Sequence, residues 1–170
     1  MTTSFDERYS ISKHNRSHQR PLFSCGIKLL DEYIHKQVGQ DDRRQVAVTY
    51  VLNDEILKKI IGYYTLSSTT IEIIDLPDTL SGKLPHYPFL PATLIARLAV
   101  DVDYQKQGWG ETLLVNALKR AHRASQEVAS FSVVVEAINQ DAVTFYEKHG
   151  FSILMGKKKL YLPMSVIVKF

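Results

Sequence analysis

Six residues, Gln105-Lys106-Gln107-Gly108-Trp109-Gly110, have the composition of an anion-binding turn. They follow an apolar run over 96–102 and lead into a helical pattern that begins at Glu111. Strand, glycine turn, helix is an order that presents backbone N–H groups to a phosphate. The first N–H groups of a helix lack acceptors inside it, and the positive end of the helix dipole lies there. Gly108 and Gly110 have no Cβ, so either can take positive φ and let a ligand approach the main chain. A strand-to-helix turn that uses glycine for geometry alone has the same spacing, since short glycine motifs recur by chance.

Such a turn needs a sheet behind it. Residues 1–20 are polar and basic, which predicts a flexible start, an arm over 1–18, leading into a first extended piece. Ile27, Leu30, Ile34 and Val38 recur at helical spacing, so 26–39 is predicted as a helix that Gly39 ends. Asp41-Asp42-Arg43-Arg44 reads as a charged turn, and 45–52 and 57–67 as a hairpin turned at Asn53-Asp54. Pro77, Pro85, Pro88 and Pro91 break up the next stretch. Residues 93–102 are apolar enough for a strand covered on both faces.

The helix over 111–124 carries Leu113, Leu114, Ala117, Leu118 and Ala121 on one face and Lys119, Arg120 and Arg123 on another. A strand at 131–137 follows. A short helix over 142–149 is capped by Asn139 or Asp141 and stopped by Gly150. Strands at 151–154 and 160–169 flank a basic turn, Gly156-Lys157-Lys158-Lys159. The order implies an α/β chain with a mixed sheet and helices on both faces.

The 170 residues suffice for one domain, 1–170, and 45% hydrophobic content supplies a core. One cysteine, Cys25, excludes an internal disulfide and suits a reducing, cytoplasmic setting; a buried thiol is the better reading of it than a nucleophile. No apolar run approaches the roughly 20 residues of a membrane span. His14, His18, His35, His86, His122 and His149 form no metal-ligand spacing, so no metal site is expected. The net charge of +3 is unevenly placed. Lys and Arg exceed Asp and Glu by 8 to 6 over residues 1–50 and by 4 to 0 over 151–170, so the surplus lies at the two ends.

Ala96-Arg97-Leu98-Ala99-Val100-Asp101 with the glycine turn resembles the acetyl-CoA loop of the GNAT N-acetyltransferases. Val135-Glu136-Ala137-Ile138-Asn139-Gln140-Asp141-Ala142 and Phe145-Tyr146-Glu147-Lys148-His149-Gly150-Phe151 resemble the later half of that fold. The family often has Arg where this chain has Gln105, a change that leaves the backbone cradle intact. The resemblance implies a mostly antiparallel central sheet that splays between its fourth and fifth strands, with acetyl-CoA in the opening. It implies that Leu98, Ala99 and Val100 bond the pantetheine arm through their main chain, and that Gln105, Lys106, Gln107, Gly108, Trp109, Gly110 and Glu111 surround the pyrophosphate. Tyr146 then protonates the departing thiolate, a role a phenol of pKa near 10 can fill; otherwise it is a core aromatic beside Phe145. Asn139 either bonds the cofactor or only caps its helix. Arg97 faces the acceptor or sits in a surface ion pair. Glu136 and Asp101 are in position to be a base, yet each reads better as a structural or exposed carboxylate.

Motifs outside that core are similar to one branch, the acetyltransferase toxins of bacterial toxin–antitoxin modules. They are Phe23-x-Cys25-Gly26-x-x-x-Leu30-Asp31-Glu32-Tyr33-Ile34, Ile61-Gly62-Tyr63-Tyr64-Thr65-Leu66-Ser67 and Leu84-Pro85-x-Tyr87-Pro88-x-x-Pro91. This likeness implies acetylation of the α-amine of aminoacyl-tRNA, a DNA-binding antitoxin of ribbon-helix-helix type as partner, and a homodimer. Arg16, Arg20, Arg43, Arg44, Arg97, Lys157, Lys158 and Lys159 are the candidate tRNA contacts, against the alternative of a solvated basic surface. An acetyltransferase of a small amine or protein N-terminus, and a non-catalytic acetyl-CoA- or nucleic-acid-binding module, are the rival readings.

Overall fold

Residues 3–4, 7–156 and 158–168 are described by the computed structural model. In chain order the first elements are β1 (Thr3–Ser4), β2 (Tyr9–Lys13), α1 (Lys28–Glu32), a π-helical turn (Tyr33–Gln37), α2 (Val38–Arg43), β3 (Val48–Asp54) and β4 (Lys59–Glu72). A 3-10 turn (Ile73–Asp75), α3 (Asp78–Ser81), β5 (Phe89–Ile95), β6 (Leu98–Val100) and α4 (Trp109–Ala124) follow. The chain closes with β7 (Ser132–Glu136), α5 (Gln140–Lys148), β8 (Ser152–Ile153), β9 (Lys159–Pro163) and α6 (Met164–Ile167). Contacts gather these into two compact units, residues 1–67 with 97–117 and residues 68–96 with 118–170.

In the first unit β2, β3, β4 and β6 pair antiparallel in that order, with β1 on β2. Residues 9–13 are not part of a flexible arm: Ile11 is fully buried, and its strand pairs residue by residue with β3. The hairpin turn falls at 55–58, later than expected. Asp54 stays in β3 and accepts the N–H groups of Ile56 and Leu57, while Arg8 pairs with its other oxygen at 2.7 Å. A short acceptor at the strand end shapes the turn that follows it, so Asn53-Asp54 precedes the turn without forming it.

Gly39 does not end the first helix, which runs on to Arg43 through the π-helical turn. Asp41 and Asp42 therefore lie inside α2, and the Tyr33 hydroxyl donates to Asp41 at 3.1 Å. Gly62 in β4 has a structural reason to be glycine. A Cβ there would sit 2.8 Å from a Leu113 methyl and 3.1 Å from the Ala99 carbonyl, so the strand can lie against α4 and β6 only without one. The core of this unit joins Phe23, Leu30, Ile34, Val51, Ile60 and Tyr63.

His14 is a titration point of the same unit. Its ring Nε2 is buried without a hydrogen-bond partner among the described residues. Burial above all, with Arg20 and His18 adding, holds its pKa down to about 4, against an ordinary 6.5. The folded-state pKa lies below the unfolded value, so the unfolded chain takes up the proton first. The stability His14 contributes is complete above about pH 6.5 and is lost as pH falls toward 4. His18, also lowered chiefly by burial, acts in the same direction. Thermal melting should drop across that window, and drop less in His14→Gln; equal drops in both proteins would place the acid lability elsewhere.

In the second unit β5 and β7 are parallel, and β7, β9 and β8 are antiparallel. The long strand expected over 93–102 is two strands. Ala92, Thr93, Leu94 and Ile95 pair with β7, the registered pairs end at Ile95, and past Ala96-Arg97 the chain pairs with β4 as β6. The expected last strand is also shorter. Pro163 ends β9 and Met164 turns the chain into α6, its N–H bonded to the Phe131 carbonyl at 2.8 Å. Ile71, Leu76, Leu90, Val134, Leu154 and Tyr161 form this unit's core. The mixed α/β class and the mostly antiparallel sheet are as the sequence implies, with β5–β7 a parallel pair within it.

Candidate active site

The glycine turn follows β6 in the first unit, where a braced loop carries it. Asp101 is buried, accepts N–H groups from Asp103 at 3.0 Å and Ser24 at 3.2 Å, and lies 3.5 Å from the Lys59 ammonium. Lys59 also reaches Asp103 at 3.7 Å and the Tyr104 ring at 5.5 Å. A carboxylate so occupied is a strut and not a base, in line with its structural reading. The Gln105 amide donates to the carbonyls of Val100 at 2.8 Å and Cys25 at 2.9 Å. Through Gln105 the chain ties this loop to its own backbone.

Two residues of the turn have positive φ, Lys106 at 60° and Gly108 at 89°. Gly110 is not one of them, because it lies in the first turn of α4. Lys106 lacked any sequence signal for this conformation. A Cβ added to Gly108 would meet nothing within 4 Å, so the turn faces open space. The first internal bond of α4 runs from the Thr112 N–H to the Gly108 carbonyl at 3.1 Å, and the donors of the preceding turn point out of the helix end. That arrangement fits a pyrophosphate. Leu98, Ala99 and Val100 are paired with β4 along one edge, and among the described residues no strand pairs with the other. An unpaired edge is where an extended ligand can bond as an added strand.

Arg97, just before β6, is in no ion pair among the described residues. Its guanidinium lies over the Tyr33 ring, 3.7 Å from the centroid. Arg16, Arg20, Arg43 and Arg44 belong to the same unit, with Arg16, Arg43 and Arg44 exposed. Cys25 is buried, and burial pushes its thiol up to about 12, which leaves it protonated and inert.

The second unit holds Tyr146, Asn139, Lys158 and Lys159. Asn139 caps α5, its side-chain oxygen accepting the Ala142 N–H at 2.9 Å. Gly150 follows the helix with φ of 93°. Tyr146 is 4% exposed and packs against Phe145 and Phe151, ring centroids 5.2 and 5.4 Å away. Burial raises its phenol above the ordinary value, so it stays protonated at working pH. A cleft of about 350 Å³ lies beside Asn139, Gln140 and Val143 on one side and Ile153, Lys158 and Lys159 on the other. Lys159 is 3.8 Å from Glu136, so both are partly committed to each other. Lys157 lies outside the described residues.

A family model described as an acetyltransferase (GNAT) domain matches residues 45–153. The chain belongs to the GNAT acetyltransferase family. This acetyltransferase is 25% identical to the probable toxin TacT of Sinorhizobium fredii (strain NBRC 101917 / NGR234) over 158 residues, 88% of this chain and 87% of TacT. It is 28% identical to a tRNA-acetylating toxin of Mycobacterium tuberculosis (strain ATCC 25618 / H37Rv) over 131 residues, 77% of this chain and 76% of that protein.

Among solved structures, a tyrosine-to-phenylalanine mutant of KacT has a TM-score of 0.91 at 29% identity, covering 96% of this chain and 99% of KacT. AtaT in complex with acetyl-methionyl-tRNAfMet has a TM-score of 0.88 at 29% identity, covering 95% and 98%. A mutant AtaT bound to the C-terminus of the antitoxin AtaR and acetyl-CoA has a TM-score of 0.79 at 26% identity, covering 95% and 96%. Among the described residues no helix is long and apolar enough to cross a membrane.

Proposed function

We propose that this acetyltransferase is the toxin of a toxin–antitoxin pair, transferring acetyl from acetyl-CoA to the α-amine of aminoacyl-tRNA and so blocking translation. The observation that carries this is the reach of the likeness. The AtaT structure holding acetylated tRNA matches 95% of this chain, well beyond the residues of the general family domain. The family match runs through both units, which supports reading 1–170 as one catalytic domain. A DNA-binding antitoxin of ribbon-helix-helix type, a homodimer and a cytoplasmic setting complete the proposal; the AtaR complex of AtaT supports the antitoxin.

Acetyl-CoA supplies an activated acyl group, a thioester that a neutral amine can attack. Backbone N–H groups at Gly108, Gly110 and the start of α4 hold the pyrophosphate, and the β6 edge at Leu98, Ala99 and Val100 holds the pantetheine. Lys106 and Gln107 shape the turn, and Trp109 and Glu111 begin its helix. Tyr146 keeps its proton at Oη and gives it to the leaving sulfur. Asn139 sets the start of the Tyr146 helix. No strong base is required, because the amine of an aminoacyl ester is a weaker base than that of a free amino acid and is more often neutral near pH 7; the proton that the nitrogen loses on acylation passes to water.

Arg16, Arg20, Arg43, Arg44, Lys157, Lys158 and Lys159 supply phosphate contacts, which give affinity with little base readout. Labelled acetyl-CoA incubated with total charged tRNA should place label on the aminoacyl group. The yield should fall with rising salt more steeply than acetyl-CoA binding does, and Lys157→Ala with Lys158→Ala and Lys159→Ala should weaken tRNA acetylation alone. Acetylation of a polyamine or peptide with none of charged tRNA would replace this reading with that of an ordinary acetyltransferase.

A further inference from the structure

We propose that Arg97, seated on Tyr33, receives the last phosphodiester of the acceptor end of the charged tRNA; this rests on the aminoacyl-tRNA reading above. Arg97 is half-buried, and no carboxylate pairs with it among the described residues. Two other partly buried cations of the first unit have acid partners, Arg8 with Asp54 and Lys59 with Asp101 and Asp103. Removing a guanidinium from water without an anion is unfavourable unless a ligand supplies one. An aromatic ring stacks on the guanidinium plane but accepts none of its five in-plane N–H donors, which match a phosphate in bidentate fashion.

The platform is rigid. Tyr33 is 4% exposed, stacks on Tyr63 at an interplanar angle of 17°, and donates to Asp41, whose other oxygen accepts from the Gln37 amide at 3.1 Å. Tyr63 in turn meets Phe23 edge-on and donates to the Leu30 carbonyl at 2.7 Å. Tyr33 opens the π-helical turn, a rare geometry that recurs at functional sites. The main chain of Arg97 is held as well, its carbonyl accepting the Thr65 N–H at 3.1 Å. The side chain is thus fixed one residue before the strand edge assigned to pantetheine. In charged tRNA the carboxyl group of the amino acid is consumed in the ester. The anion nearest the reacting amine is then the phosphodiester one nucleotide back.

The test compares charged tRNA with 3′-O-aminoacyl-adenosine, which has the same amine and ester but no phosphate. Arg97→Ala should raise KM for charged tRNA about 10- to 100-fold, as loss of a charge-assisted contact does. Turnover of aminoacyl-adenosine and acetyl-CoA affinity should stay unchanged. Arg97→Lys, which keeps the charge and loses the fork, should show a smaller loss on charged tRNA only, and Tyr33→Leu should reproduce the Arg97→Ala pattern. Equal losses on both substrates, or none on charged tRNA, would overturn the assignment while leaving the acetylation of charged tRNA intact. A wild-type protein that acetylates neither substrate would overturn the aminoacyl-tRNA reading and this assignment with it.

Discussion

Tyr146→Phe should lower the rate of acetyl transfer by about 10²–10⁴-fold, the usual contribution of a general acid, with acetyl-CoA affinity and melting temperature nearly unchanged. The substitution removes one oxygen and keeps the ring that packs between Phe145 and Phe151. It leaves the Tyr146 carbonyl in place, which accepts the N–H groups of His149 and Phe151 and closes the end of α5. Burial lifts the phenol above its ordinary value of 10, so Tyr146 adds no alkaline fall in rate below that pH. Single-turnover rates on charged tRNA across pH 6–9, with acetyl-CoA binding measured beside them, separate chemistry from binding. A full-rate Tyr146→Phe enzyme would make the phenol a packing group.

Gly108→Val should weaken acetyl-CoA binding about 10- to 100-fold, which corresponds to roughly 1–3 kcal/mol of backbone strain. The room around Gly108 is not the issue, since a Cβ there touches nothing within 4 Å. Its φ of 89° is, because an L residue branched at Cβ avoids that region. The loop would relax by turning its N–H groups away from the ligand. Gly156→Val is the control, a glycine at φ of 69° in the second unit, equally open and outside the cradle. It should cost stability and spare acetyl-CoA binding. Calorimetric binding of acetyl-CoA to folded Gly108→Val at wild-type affinity would remove the turn from the cofactor site.

Much of this molecule is legible locally. The face of α4 that carries Leu113, Leu114, Ala117, Leu118 and Ala121 is buried, as its spacing predicts, because a helix with one apolar stripe has one way to face a core. Asn139 and Gly150 bound α5 by side-chain capping and positive φ, both properties of a single residue. The elements missed depend on neighbours distant in sequence. Gly39 carries a stop signal, yet the helix runs on, and Asp41 beyond it holds the hydroxyl of Tyr33. Residues 93–102 look like one apolar strand, but their partners change from β7 to β4 at Ala96-Arg97, and no periodicity records a change of partner.

The sequence by itself determined the mixed α/β class, the family and a glycine turn between a strand and a helix. The class and the turn rest on short-range rules, helical or alternating spacing, capping residues, and glycines at a strand-to-helix junction, and the family rests on the likeness of motifs spread along the chain. Only the tertiary structure decided what the charged and polar groups do. Asp101 became a strut because Ser24 and Lys59, far along the chain, converge on it. Gln105 became a clasp because the carbonyl of Cys25 lies within its reach. Arg97 lies over an aromatic ring, in no ion pair among the described residues, because Tyr33, sixty-four positions earlier, is held there by Tyr63 and Asp41. A side chain's partners depend on which distant segments the packed core brings alongside it, and that information is not local to any stretch of sequence.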